Sequence, residues 1–150
     1  MSKIDAYVFD IDGTLAENNH RLHFILGDKK DWNGFYKASL DDKPIESTRQ
    51  LVSSIERSDN GIFIILCTGR HEKNRKITEE WLQKYWIPYD ELIMRPNKDV
   101  RKDFEAKADL ADSIMACYNV LGVFEDKPKV CDMWRRKGCF VFEIKGNDDE

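Results

Sequence analysis

A chain of 150 residues that is 41% hydrophobic and 35% charged carries enough apolar material for one domain with a buried core, which excludes a disordered segment. Its net charge of −4 argues against nonspecific nucleic-acid binding through bulk charge, and no apolar run approaches the roughly 20 residues that a membrane helix needs. The N-terminus enters a strand directly, without a signal peptide, so the expected location is cytoplasmic with no membrane partner. Cys67, Cys117, Cys131 and Cys139 form no Cys-x-x-Cys pair and no zinc spacing with histidine, and they read as reduced thiols.

In chain order, the first apolar run is Ala6 to Phe9, and it opens into Asp10-Ile-Asp12-Gly-Thr-Leu15. The side-chain period of a strand sends both carboxylates to one side at its C-terminal end, where open α/β sheets hold their ligands. Like charges this close need compensation, and a divalent cation is the obvious candidate. The competing reading is an Asp-Gly hairpin turn, but no matching strand follows Thr14. Residues Glu17 to Lys43 then separate this strand from the first helix by far more than the usual connection, which reads as a small cap beside the strand end. Its aromatics Trp32, Phe35 and Tyr36 either stack a nucleobase or, the simpler use, fasten the cap to its domain.

From there strands and helices alternate. Helical periodicity covers Glu46 to Ser58, Glu72 to Tyr85, Asp103 to Tyr118 and Pro128 to Lys137; buried-strand runs cover Ile62 to Cys67, Leu92 to Met94, Val120 to Phe124 and Cys139 to Ile144. The expected architecture is α/β: a central parallel five-stranded sheet flanked by helices through right-handed crossovers. Residues 1–150 form a single domain in this reading, with the cap at about 17–43 and a frayed acidic tail at Asn147 to Glu150.

Four elements fall at strand ends or nearby helix starts: the Asp10/Asp12 segment, Thr68-Gly69-Arg70, Lys107 and Glu125-Asp126. A hydroxyl, a cation and carboxylates converging on one edge suit phosphoryl transfer. Asp10 is the candidate nucleophile, forming an aspartyl-phosphate. Asp12 is the candidate proton donor and acceptor, which calls for a pKa raised toward neutrality. Mg2+ is expected between Asp10 and Asp126, with Glu125 in reach and Asp12 included in the acidic metal set. Thr68 and Lys107 are placed on the phosphoryl group. Each has a plainer alternative: Thr68-Gly69 as a turn, Glu125-Asp126 as a solvated strand end or helix cap, and Lys107 as a snorkelling side chain. Lys107 nevertheless falls on the helix face of Leu110, Ala111 and Ile114, where a cation needs a partner.

Two other chemistries are excluded. Arg70 follows Cys67 too closely for a cysteine-phosphatase loop to wrap a phosphate, and no Gly-x-x-x-x-Gly-Lys-Ser/Thr segment exists for a P-loop kinase. Residues 67–107 carry ten Lys/Arg against eight Asp/Glu, the least acidic stretch of the chain. There Gly69, Arg70, Arg95, Arg101 and Lys102 are candidate substrate-binding residues, with solvated surface charge as the alternative for the cations.

These four motifs, in this order, resemble those of the haloacid dehalogenase superfamily, a Rossmann-like fold. Asp99-Val-Arg101-Lys102-Asp103 with Lys107, and Glu125-Asp126 leading to Asp132-Met-Trp134-Arg135-Arg136-Lys-Gly138, look like the 3'-phosphatase domain of bacteriophage polynucleotide kinase/phosphatase. The resemblance spans about residues 4 to 144, with threonine at position 68 where the phage enzyme has serine. It implies a Mg2+-dependent phosphatase of 3'-phosphorylated nucleic-acid ends or nucleotides, with Asp10 as nucleophile, Asp12 as acid/base, Thr68 and Lys107 on phosphate, and Asp126 with Glu125 at the metal. A separate kinase or ligase is then the implied partner. The alternatives are a nucleotidase or small-molecule phosphatase, and a noncatalytic module that binds nucleic-acid ends. Nothing in the sequence speaks to oligomeric state.

Overall fold

Alternation along each strand decides the architecture. In β1 (Ile4–Phe9), Ala6 and Val8 face one side of the sheet and Phe9 the other; in β4 (Phe63–His71), Ile65 and Cys67 oppose Ile64 and Leu66. A sheet apolar on both faces must be covered on both. The computed structural model, which describes residues 2–145, shows this arrangement.

Five parallel strands run in the order β5 (Glu91–Arg95), β4, β1, β6 (Tyr118–Glu125), β7 (Val141–Glu143). On one face α4 (Asp103–Cys117) and α5 (Pro128–Arg136) bring Ala111, Ile114, Val130 and Trp134 onto Ala6, Val8 and Ile65. On the other, α2 (Glu46–Ser58) and α3 (Arg75–Lys84) bring Val52, Trp81 and Leu82 onto Phe9, Ile64 and Leu66. The chain builds from β1 through β4 to β5 on one side, then returns to add β6 and β7 on the other. The order therefore reverses at β1, and the crevice at such a reversal is where open sheets bind ligands.

Between β1 and α2 lies the cap, made of β2 (Ala16–Glu17), a 3-10 turn Asn19–Phe24, α1 (Trp32–Lys37), a second 3-10 turn Ala38–Asp41 and β3 (Lys43–Pro44). β2 and β3 pair antiparallel and close its base. Trp81 of α3 donates its indole N–H to the Asp42 carbonyl (3.0 Å), tying the returning chain to the core.

Three expectations change in detail. β4 runs on through Thr68-Gly69-Arg70 to His71, so the turn alternative for Thr68-Gly69 fails; a register irregularity against β5 accommodates the extension. The helix expected from Glu72 opens as a 3-10 turn, Glu72–Asn74, before α3 begins. Tyr118 leaves α4 in an extended conformation and starts β6 without a loop. The tail Asn147 to Glu150 lies outside the described residues.

Candidate active site

The C-terminal ends of β1 and β6 are neighbours in the sheet, so Asp10 meets Glu125 and Asp126. Lys107, one turn into α4, reaches the same point and is 1% exposed. Its Nζ donates to Asp10 Oδ1 and to Glu125 Oε2, both at 2.9 Å. Burial alone opposes a charged lysine, but Asp10 and Glu125 outweigh it and hold the ammonium protonated well above its usual range. The snorkelling alternative is thereby replaced by a buried ion pair.

The three carboxylates place oxygens within 4.8 Å of one another. Glu125 has both oxygens committed, Oε2 to Lys107 and Oε1 to the backbone N–H groups of Asp126 and Lys127. Asp10 Oδ2 and Asp126 Oδ1 are buried and accept no hydrogen bond. Burial, reinforced by the Glu125 charge and opposed by Lys107, pushes the Asp10 carboxyl well above the ordinary range; burial and a Glu125 hydrogen bond push Asp126 up to about 6. Two orphaned oxygens at an acidic point fit a hard divalent cation such as Mg2+, with Asp10 and Asp126 as ligands. Gly13 makes the approach possible: its φ is +84°, and a Cβ there would stand 2.0 Å from Asp126 Oδ2.

Asp12 looks elsewhere. Arg70 Nε and Nη2 donate to its two oxygens at 3.0 and 2.7 Å, and Arg21 Nη2 donates to Oδ1 at 2.6 Å. Burial would raise this carboxyl, yet the two guanidinium groups dominate and hold it well below the usual carboxylate range. Arg21, fully buried, comes from the cap's first 3-10 turn and also donates to both oxygens of buried Asp42 at 2.8 Å, while its guanidinium lies 4.2 Å from the Phe35 ring.

The Thr68 hydroxyl, at the same strand end, accepts the Arg70 N–H at 3.1 Å and lines the cavity, so its own proton is available to donate there. Gly69 permits Asp103 to approach, since a Cβ at position 69 would sit 2.0 Å from Asp103 Oδ1. Asp103 in turn accepts from Arg95 (3.0 Å) and Lys127 (3.2 Å). These groups open into a cavity of about 660 Å3, walled partly by Trp32, Phe35 and Tyr36 of the cap.

A profile of the polynucleotide kinase PNKP phosphatase domain matches residues 4–148. The chain belongs to this family of phosphatases. Among relatives of the PNKP-type phosphatase, a protein named as a bifunctional polynucleotide kinase/RNA ligase from Autographa californica nuclear polyhedrosis virus is 30% identical over 132 residues, 87% of this chain and 18% of the viral protein. A chain in the structure of the Pnkp1/Rnl/Hen1 RNA repair complex superposes with a TM-score of 0.82 at 30% identity, over 97% of this chain and 44% of that one. The PNKP-type chain thus spans under half the length of these relatives. A hydrolase from Streptococcus pneumoniae TIGR4 shares the fold at TM-score 0.60 and 16% identity, over 98% and 95% of the two chains.

In the PNKP-type phosphatase the structure brings Asp10, Lys107, Glu125 and Asp126 together, and Thr68 lines the same cavity as Asp10 and Lys107. Three expectations do not hold. Asp12 is not poised near neutrality and its carboxylate is not in the acidic cluster, because Arg70 and Arg21 claim both its oxygens. Arg70 is not a free substrate cation; it is 1% exposed and bound to Asp12 and Thr78. Lys102 does not line the cavity of the acidic cluster; it borders a separate apolar hollow with Phe104 and Pro128. Arg95 and Arg101 do line the cavity, Arg101 already paired with Asp99 and Asp109. Arg21, Asp42, Asp103 and Lys127 were missed. The signal for Arg21 was the uncompensated Asp10/Asp12 pair itself, for which a guanidinium is as good a partner as a metal.

Proposed function

We propose that this phosphatase is a Mg2+-dependent phosphomonoesterase that removes 3'-phosphates from nucleic-acid ends through an aspartyl-phosphate on Asp10. The observation that carries the mechanism is the asymmetry of Asp10: Oδ1 is held by Lys107 while Oδ2 is free and buried at the cavity floor. The Asp10 carboxylate attacks phosphorus as the ester P–O bond breaks and the sugar oxygen leaves with a proton from Asp12; water then attacks the acyl phosphate, returning a proton to Asp12, releasing phosphate and regenerating the Asp10 carboxylate. Lys107 and the Thr68 hydroxyl neutralise and orient the equatorial oxygens. A Mg2+ ion held by Asp10 and Asp126 would offset the repulsion between an anionic nucleophile and an anionic substrate. Glu125 acts as a positioning residue, through its bond to Lys107.

Asp12 is the group placed to pass that proton, although Arg21 and Arg70 hold it ionised and so make it a weak base at rest. Its service as donor to the leaving oxygen requires it first to take up a proton against both arginines.

The nucleic-acid substrate is supported by membership of the PNKP family and by the names of its relatives, and a kinase or ligase acting on the same ends is the partner that reading implies. Turnover should be measured with Mg2+ on a 3'-phosphorylated oligonucleotide, the matching 3'-mononucleotide and a 5'-mononucleotide. The proposal predicts that the oligonucleotide is preferred; equal kcat/KM on all three would favour a general nucleotidase instead.

A further inference from the structure

The cap aromatics divide into two kinds. Phe35 is 5% exposed and lies beneath the Arg21 guanidinium, so it does the fastening. Trp32 is 46% exposed, and Tyr36 follows it by one helical turn on α1; their ring planes lie 22° apart with centroids 6.2 Å apart, and both line the active-site cavity. Both rings meet Phe35 edge-to-face, at centroid distances of 5.7 and 5.0 Å, so Phe35 braces them where they line the cavity. They form a surface on which a flat heterocycle can lie.

The cavity also carries six lysine and arginine side chains against three aspartates, in a chain of net charge −4. Most of these cations are spoken for: Arg70 by Asp12, Lys107 by Asp10, Lys127 by Asp103, Arg101 by Asp99 and Asp109. Lys73 has no ion-pair partner among the described residues. Arg95, 7% exposed, bonds Asp103 through Nη2 but keeps a buried Nε with no acceptor. The two belong to one rim: His71 pairs with Arg95 in the sheet, and the Lys73 N–H donates to Asn97 Oδ1 at 2.7 Å.

We propose that Trp32 and Tyr36 stack the terminal base of the substrate strand while Lys73 and Arg95 hold the phosphodiester that joins it to the next nucleotide. This rests on the 3'-end reading above and specifies how a polynucleotide would be told from a simple phosphomonoester.

The test is steady-state kinetics with Mg2+ on a 3'-phosphorylated dinucleotide, a nucleoside 3'-phosphate and glycerol phosphate. Trp32→Ala should lower kcat/KM for both nucleotides relative to glycerol phosphate by about tenfold, through KM. Lys73→Ala should weaken only the dinucleotide relative to the other two, and should flatten the salt dependence of its log KM by about 0.7 per log unit of salt, as loss of one single-strand phosphate contact requires. Trp86→Ala, which removes an 84% exposed indole outside the cavity, serves as the control for solubility and folding. Equal losses on all three substrates in Trp32→Ala, or an unchanged salt slope in Lys73→Ala, would overturn the assignment. In the comparison of 3'- and 5'-mononucleotides described above, a wild-type enzyme that prefers the 5'-phosphate would instead overturn the 3'-end reading, while a Trp32→Ala effect on both of those mononucleotides would leave the stacking surface standing. Fluorescence anisotropy of a labelled dinucleotide 3'-phosphate on Asp10→Asn gives the same comparison without turnover: binding unaffected by Trp32→Ala in that background contradicts the proposal.

Discussion

Two oxygens with no partner and two arginines on one carboxylate set the chemistry of this site. Asp10 Oδ2 and Asp126 Oδ1 have no protein hydrogen-bond donor and are open to a cation or a reacting phosphorus, whereas Asp12 is fully satisfied by Arg21 and Arg70. Gly13 is the residue on which the first arrangement turns. Gly13→Ala forces a Cβ into Asp126 Oδ2 at a φ of +84°, so Asp126 must withdraw; kcat/KM should fall roughly 100-fold and the Mg2+ needed for half-maximal rate should rise. A titration of rate against Mg2+ measures both, and unchanged Mg2+ dependence would show that Asp126 does not hold the ion. Asp10, Thr68, Lys107 and Asp126 were legible in the sequence because each sits at a strand end or on a periodic helix face, where position follows from local rules. Whether a cation is free was not legible: Arg70 and Arg101 have the composition of phosphate ligands and the contacts of ion-pair partners.

The cap shows where element-level reading stops. Helices Glu46–Ser58 and Asp103–Cys117 follow their 3.6-residue periodicity almost to the residue, and the five strands follow their apolar runs. Residues 17–43 are built from two short 3-10 turns and one six-residue helix between two-residue strands, too short to show a period, so nothing in the pattern points Arg21 inward. Yet Arg21 joins the cap to the catalytic floor through Asp12 and Asp42, all within one buried cluster. Breaking a buried pair this way costs about 3–5 kcal/mol. Arg21→Ala should lose on the order of 3 kcal/mol in urea unfolding at neutral pH. The folded-state pKa of Asp12 is depressed, so its contribution is present above the ordinary value of 3.8 and is lost as pH falls. The difference between wild type and Arg21→Ala should therefore be smaller at pH of about 3 than at neutral pH, because there Asp12 of the unfolded chain takes up a proton while the arginine-bound carboxylate of the folded protein does not. An equal difference in urea midpoint at both pH values would place the effect in packing on Phe35 alone.

For the whole molecule, the sheet order gathers acidic groups from β1 and β6 at the point where the topology reverses, and Lys107 offsets only part of their repulsion, leaving the rest for a bound cation. Asp126, raised to about 6, contributes stability that is complete below the ordinary 3.8 and is lost as pH rises through 6; Asp10 shifts in the same direction. Mg2+ competes with those protons, so the Mg2+-induced rise in Tm should be small at pH 5 and several degrees at pH of about 7.5. Calorimetry with and without the ion measures it, and a pH-independent increment would contradict the acidic cluster as the binding point. The most direct test of the account is acid quench of the enzyme during turnover, followed by peptide mass mapping. The account predicts a phosphoryl group on the peptide that contains Asp10, absent in Asp10→Asn, which should also be inactive; full turnover with that peptide unmodified, or turnover by Asp10→Asn, would contradict it.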